Sequence, residues 1–121
     1  MEKRPVADIT HEGALSLILP KELADRLGWF PWSESVPLKA FTEAERGKLF
    51  TSEHAALCFA LAMWNGHKVR KGAPQYADLT RCNLDLFAEV MPFGWDGIRM
   101  IRWATRRGPE LRPDLLTAVS R

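Results

Sequence analysis

The stretch Glu53-His-Ala-Ala-Leu-Cys-Phe-Ala-Leu-Ala-Met-Trp-Asn65 lies near the middle of a chain of 121 residues and decides its fold. From Ala55 to Trp64 every residue is apolar, so a helix formed here is apolar nearly all round. A helix of this kind lies in the centre of a core, because none of its faces favours water. Thr51 or Ser52 can cap its start and Gly66 can end it. The other elements are therefore expected to pack around it.

Helical patterns flank the central helix on both sides. The capping box Thr42-Glu-Ala-Glu45 predicts the start of a short helix that runs to about Phe50. Apolar spacing and the stop signals that follow it predict further helices at Leu79–Met91 and Asp96–Arg107. A last short helix is expected at Asp114–Ser120.

The N-terminal part predicts the only strand. Residues 1–12 are polar, and we expect them to be flexible. The apolar run Ala14–Leu19 predicts a short strand buried on both faces. Pro20 then opens a helix at Lys21–Leu27, which ends at Gly28. The predicted fold class is therefore mainly α, a small helical bundle with one short N-terminal strand, in a single domain that spans the chain.

Composition excludes several classes of protein. Apolar residues make up 46% and charged residues 26%, which is too apolar for a disordered chain. Two cysteines are too few for a secreted disulfide scaffold. The N-terminus has no apolar run of signal-peptide length, and the longest apolar run is ten residues, half of what a membrane span requires. We therefore expect a cytoplasmic protein that does not enter a membrane.

Charge is distributed unevenly along the chain. The net charge is only +2, but residues 1–65 hold seven Lys and Arg against nine Asp and Glu, whereas residues 66–121 hold ten against six. The basic excess is densest between Arg99 and Arg107. Such asymmetry indicates a polyanionic partner.

The most informative motif is Phe87-Ala-Glu-Val-Met-Pro-Phe-Gly-Trp-Asp-Gly-Ile-Arg-Met-Ile-Arg-Trp103. A helix-turn-helix needs a small residue where its two helices cross, and Ala88 can supply it. With Ala88 at the crossing point, the positions where the two helices should contact each other and the core are all apolar. They are Phe87, Met91, Phe93, Ile98 and Ile101. Residues 84–103 thus resemble the helix-turn-helix of small bacterial and phage regulators. The resemblance implies a helix-turn-helix-like C-terminal half, at residues 79–107.

The turn departs from the family's pattern. The family usually has glycine at the first turn position, where the backbone is left-handed, but this chain has Pro92, which cannot adopt a positive φ. Gly94 follows two positions later, so the turn would have to be remodelled.

The second helix of the motif supplies an independent argument for DNA binding. Ile98 and Ile101 are expected to face inward, which places an arginine stripe outward without an acidic residue between Gly97 and Gly108. Arginine pairs with phosphate and reads guanine bidentately. The expected DNA-contacting residues are Trp95, Arg99, Arg102, Arg106 and Arg107. The sequence therefore predicts a sequence-specific DNA-binding protein, a small transcriptional regulator, with a two-fold homodimer as the companion hypothesis.

The alternative is a non-enzymatic module that binds another protein. Trp29, Phe30 and Trp32 lie in a proline-containing loop and are candidates for an exposed aromatic anchor. Tryptophan is enriched at interface hot spots, so this patch fits a small inhibitor or adaptor.

Metal binding and catalysis find little support. His54, Cys58, His67 and Cys82 are four candidate zinc ligands, but neither cysteine belongs to a short Cys-x-x-Cys pair. These histidines and His11 form no constellation with a nucleophile or a base. We therefore expect no catalytic residues, no metal and no cofactor.

Overall fold

The computed structural model describes residues 3–46, 51–66, 76–79, 81–93 and 96–118. Within these ranges the fold has six α-helices and one two-stranded parallel sheet, which confirms the mainly α class. The helices are α1 (His11–Ala14), α2 (Lys21–Leu27), α3 (Leu38–Arg46), α4 (Thr51–Trp64), α5 (Arg81–Val90) and α6 (Gly97–Leu111). The strands are β1 (Arg4–Pro5) and β2 (Leu116–Thr117), and short 3-10 helices lie at Val6–Asp8, Leu15–Ile18, Tyr76–Asp78 and Met91–Phe93.

Helix α4 is the central helix that its composition predicts. It packs against α3 and against the 3-10 helices at Leu15–Ile18 and Tyr76–Asp78. The ring of Phe59 lies 5.5 Å from that of Phe87 and 5.9 Å from that of Tyr76. Gly66, with a φ of 81°, follows the helix in a left-handed conformation that favours glycine. Buried residues of both halves of the chain join one hydrophobic cluster around α4, so the described residues form a single domain.

The strand predicted at Ala14–Leu19 is wrong. Ala14 ends α1, and the next four residues form a 3-10 helix. The Thr10 side chain accepts a hydrogen bond from the backbone N–H of Gly13 at 2.9 Å, which favours helix over strand at this point. All six residues are buried, as the apolar run predicts. A short apolar run fits a buried helix as well as a buried strand, and periodicity alone does not separate the two.

Residues 1–12 are predicted to be flexible, and the described part of this segment is attached to the rest of the fold. Arg4 donates a backbone hydrogen bond of 2.8 Å to the carbonyl of Leu115, and β1 pairs with β2. Val6 and Ile9 are buried in the core. Two apolar side chains in an otherwise polar segment are enough to attach it, because each removes its whole surface from water.

Helix α3 begins earlier than the capping box predicts. It starts at Leu38, and Thr42 lies inside it, where its hydroxyl donates to the carbonyl of Leu38 at 3.3 Å. Residues 47–50, the predicted end of this helix, lie outside the described residues. Helix α5 agrees with its prediction to within two residues at each end.

Helix α6 continues past Gly108 and Pro109, where the sequence predicts its end. Pro109 lacks the backbone N–H that would donate to the carbonyl of Thr105. Thr105 is exposed, so water can donate a hydrogen bond to this carbonyl instead. Gly108 is buried, and a Cβ atom there would lie 2.6 Å from Cδ1 of Leu116. The glycine therefore permits the close approach of β2. In the segment predicted as a last helix, the described residues 114–118 form a turn and this strand instead.

The register predicted for α6 is wrong. Ile98 is 65% exposed, and the buried face consists of Met100, Trp103, Ala104 and Gly108. The helix carries two apolar sets on different faces. The set that contains tryptophan removes more apolar area from water than the two isoleucines would, so it faces the core.

A buried arginine connects the C-terminal segment to α2. The side chain of Arg112 is 6% exposed, and its Nη2 lies 2.8 Å from Oδ1 of Asp25 and 3.0 Å from Oδ2 of Asp114. The hydrogen bond from Arg112 lowers the pKa of Asp114, although burial acts in the opposite direction. Because removal of one partner from a buried pair leaves an uncompensated charge, this cluster holds the segment in place.

The register of α6 can be tested by two substitutions two positions apart. Met100→Ala should lower the free energy of unfolding by about 2–5 kcal/mol, because it creates a cavity in the core. Ile98→Ala should change it by no more than about 0.5 kcal/mol, because the side chain is mostly in solvent. Urea denaturation measures both values. Equal losses for the two variants would contradict the register.

The pKa of Asp114 predicts how stability depends on pH. Because the folded-state pKa is lowered, the contribution of this carboxylate is fully present above its ordinary value of about 4 and is lost as pH falls through the lowered value. Asp114→Asn should therefore be less stable than the wild type at pH 7, and the difference should shrink below about pH 4. Asp85→Asn, at an exposed position of α5, is the control. A difference that is constant from pH 7 to pH 3 would contradict the assignment.

Candidate functional site

The candidate site is the solvent face of α6. The side chain of Asp96 caps the helix by accepting a hydrogen bond of 3.1 Å from the backbone N–H of Arg99. The exposed residues recur at helical spacing and are Ile98, Arg99, Arg102, Thr105, Arg106 and, near the C-terminal end, Glu110. The three arginines predicted to face outward do so, although the inward register assigned to Ile98 is wrong.

The three exposed arginines converge on one shallow depression. Its lining is formed by Phe93, Arg99, Arg102, Trp103 and Arg106, and its volume is about 190 Å³. We call it the arginine depression. Phe93 is half-buried and Trp103 is buried, so aromatic rings border the guanidinium groups. A depression lined by charges of one sign concentrates the field and attracts a counter-ion of the opposite sign.

The arginines differ in how far their own chain neutralises them. Arg99 Nε lies 3.5 Å from Oδ2 of Asp96, and both side chains are largely exposed. Arg102 and Arg106 form no ion pair with any residue that the structure describes. An anion that enters the depression would therefore displace no carboxylate from these two side chains.

Arg107 lies apart from this set. Its Nε lies 3.1 Å from Oε2 of Glu89, and its Nη1 bonds to Glu110. Burial would lower the pKa of Arg107, but hydrogen bonds and the charges of Glu110 and Glu89 raise it above its ordinary value. Its positive charge is thus compensated by two carboxylates, which leaves little of it for a phosphate.

Glu89 is a positioning residue that sequence spacing does not identify. Its Oε2 accepts hydrogen bonds from Nε1 of Trp103 at 2.7 Å and from Nε of Arg107 at 3.1 Å. It therefore joins the end of α5 to the middle of α6. The bond satisfies the indole N–H of a buried tryptophan and fixes the rotation of α6 about its axis.

The described residues form only part of the packing that the helix-turn-helix resemblance requires. Ala88, aligned to the crossing point of the two helices, is exposed, and Ile98, aligned to an inward position, is 65% exposed. Phe87 is buried as expected, and Met91 is partly buried. Trp95, the remaining predicted DNA-contacting residue, lies outside the described residues.

The aromatic patch predicted as a protein anchor divides into two parts. Trp29 is completely buried, and its Nε1 donates to the carbonyl of Glu12 at 2.9 Å, so its assignment to the surface is wrong. Phe30 and Trp32 are half-buried, and their rings stack at 5.5 Å with an interplanar angle of 12°. The guanidinium of Arg4 lies 4.6 Å from the ring centroid of Trp32.

The candidate metal and catalytic groups are only partly described. Cys58 Sγ lies 3.6 Å from Nε2 of His54, and burial raises the pKa of this thiol, which keeps it protonated at neutral pH. His67 and the side chain of Cys82 lie outside the described residues. Within the described part of the chain, no three His, Cys, Asp or Glu residues are placed to hold a metal ion.

Comparisons with known proteins identified no relative of this chain. No family model, curated protein or solved structure matches the chain. Among the described residues, none of the helices combines the length and the apolarity that crossing a membrane requires.

Proposed function

We propose that the chain is a cytoplasmic protein that binds duplex DNA through the solvent face of α6, with the arginine depression on the phosphate backbone. The observation that carries the proposal is the convergence of Arg99, Arg102 and Arg106 on one depression. Guanidinium groups form bidentate hydrogen bonds with phosphate oxygens, which a lysine does not. Arg102 and Arg106, which pair with no carboxylate in the described part of the chain, are available for such bonds without breaking an ion pair there.

Sequence preference would come from the first turns of α6. In DNA-binding helices the N-terminal residues approach the base edges. Ile98 offers an exposed apolar group of the kind that contacts a thymine methyl, and Arg99, in the first turn, offers donors for guanine. One helix contacts only a few base pairs, so a regulator of this kind would bind as a two-fold dimer to a palindromic site.

The phosphate contacts predict a salt dependence. The logarithm of the association constant should fall with the logarithm of salt concentration with a slope of about −4 for the two-fold dimer, since Arg102 and Arg106 of each copy neutralise about two phosphates. Arg102→Ala or Arg106→Ala should weaken binding to random and to selected duplexes and flatten this slope by about two, one for each copy. Fluorescence anisotropy with a labelled duplex measures both effects.

Two matched variants separate the contributions. Arg26→Ala removes the same charge from α2, away from the arginine depression, and should leave the slope unchanged. Arg99→Lys keeps the charge and should retain binding to random DNA while losing preference for the selected sequence. If Arg26→Ala weakens binding as much as Arg102→Ala, net charge rather than the arginine depression is responsible, and the proposal is wrong.

A second candidate function is the binding of a protein through Phe30 and Trp32. The observation in its favour is that the two rings stack on each other and are both partly exposed, so that one partner can contact both. The candidate no longer includes Trp29, because this residue is buried.

The two tryptophans of this loop should differ in their contribution to stability. Trp29→Ala should lower the free energy of unfolding by about 3–5 kcal/mol, because it empties a core position and leaves the carbonyl of Glu12 without its donor. Trp32→Ala should cost about 1 kcal/mol, as expected of a residue kept for contact with a partner. Thermal and urea denaturation test the pair. A similar loss for both variants would assign Trp32 to the core and remove this candidate.

A further inference from the structure

The arginine depression is small compared with a DNA duplex. Its volume of about 190 Å³ equals the space that about six water molecules occupy in the liquid. A duplex lays only a short stretch of its backbone across such a space, whereas a small anion enters it and meets several arginines at once. The charges and the shape of the lining then decide which small anion fits.

Two described carboxylates contact the lining, and neither is directed at the whole set of arginines. Oδ2 of Asp96 lies 3.5 Å from Nε of Arg99, and both side chains are largely exposed, so water screens this pair. Glu89 uses its Oε2 for the indole N–H of Trp103 and for Nε of Arg107. The exposed arginines therefore outnumber the carboxylates that contact their depression.

Arg102 and Arg106 are the arginines that remain open to an incoming anion. Both are exposed, and neither forms an ion pair or a side-chain hydrogen bond with a described residue. Outside the described ranges the sequence contains a single acidic residue, Glu2, so the chain has almost no other carboxylate to offer them. They lie one turn apart on α6, which places both guanidinium groups on the same side of the helix.

A diphosphate group matches this pair of arginines better than a single tetrahedral anion does. A guanidinium forms its bidentate hydrogen bonds with the oxygens of one phosphate group. Sulfate has one tetrahedron, so two arginines would compete for the same oxygens, whereas a diphosphate supplies one tetrahedron to each. The rings of Phe93 and Trp103 border the depression and keep water from part of it, which strengthens charged hydrogen bonds.

We propose that the arginine depression binds a small molecule that carries a diphosphate group, and that this ligand competes with DNA. One phosphate group pairs with Arg102 and the other with Arg106. The binding of the diphosphate stands by itself, whereas the competition rests on the proposed DNA-binding function. A rise in the concentration of the ligand then releases the chain from DNA by mass action.

The binding test uses the full chain and inorganic pyrophosphate in a metal-free buffer of constant ionic strength. Pyrophosphate should bind saturably with a Kd of about 1 mM or lower, as about nine non-hydrogen atoms permit. It should shift the side-chain Nε–H resonances of Arg102 and Arg106 in an NMR titration. Sulfate should bind at least about tenfold more weakly. Equal binding of the two anions, or no saturable binding of pyrophosphate, would overturn the proposal.

Adenosine diphosphate distinguishes the two sources of a diphosphate group. If the ligand is a nucleotide, adenosine diphosphate should bind more tightly than pyrophosphate, because its base adds a stacking contact with Phe93. Phe93→Leu should then remove this advantage. If the ligand is pyrophosphate itself, the two should bind equally. Binding of both that Arg102→Ala leaves unchanged would place them elsewhere and contradict the proposal.

Substitutions locate the contact. Arg102→Ala and Arg106→Ala should each weaken pyrophosphate binding at least about tenfold, because each removes one bidentate pair. Both side chains are exposed, so the fold should persist, which circular dichroism checks. Arg26→Ala removes the same charge from α2 and should leave the Kd unchanged. If Arg26→Ala weakens binding equally, the overall charge attracts pyrophosphate and the assignment to this depression is wrong.

Competition is measured by the fluorescence anisotropy of a labelled duplex. Pyrophosphate should release the duplex from the wild type, and sodium chloride at the same ionic strength should release less of it. If the duplex binds and pyrophosphate does not, this inference fails and the proposed DNA binding stands. If pyrophosphate binds and the duplex does not, the proposed DNA binding fails, and the competition fails with it. Binding of both without displacement would refute the shared site.

Discussion

The indole ring of Trp103 is buried, so its N–H needs a hydrogen-bond acceptor within the protein. Glu89 of α5 is that acceptor. This single contact sets the rotation of α6 about its axis. With Trp103 inward, Met100 and Gly108 face the core, and the exposed arginines are left on the opposite side. A different acceptor position on α5 would turn the same helix and present a different surface to solvent.

The two ends of α6 use arginine in opposite ways. Along its exposed face, Arg102 and Arg106 stand in solvent and form no ion pair with a described residue, which suits a transient anionic ligand. Just past its C-terminal end, Arg112 is buried between two carboxylates and serves the fold. The difference follows from burial, because a guanidinium removed from water is tolerated only when its charge is compensated.

Local sequence was sufficient where one signal dominated. The all-round apolarity of α4 and the outward spacing of the arginines both follow from helical geometry alone. Local sequence did not predict the structure where tertiary contacts determine it. The run Ala14–Leu19 fits a helix and a strand equally. Gly108 indicates the end of a helix unless its contact with Leu116 is known. The ion pair of Arg26 with Glu53 was equally out of reach, since these two residues lie 27 positions apart and meet only through the fold.

The pairing of β1 with β2 has a consequence for how the molecule is made. Arg4 lies beside Leu116, so segments separated by more than a hundred positions meet in one short sheet. On the ribosome, β1 must wait until the residues of β2, more than a hundred positions later, have been synthesised before it finds its partner. Closing so long a loop is slow compared with forming neighbouring helix contacts, so this small helical protein should complete its fold later than its helix content alone suggests.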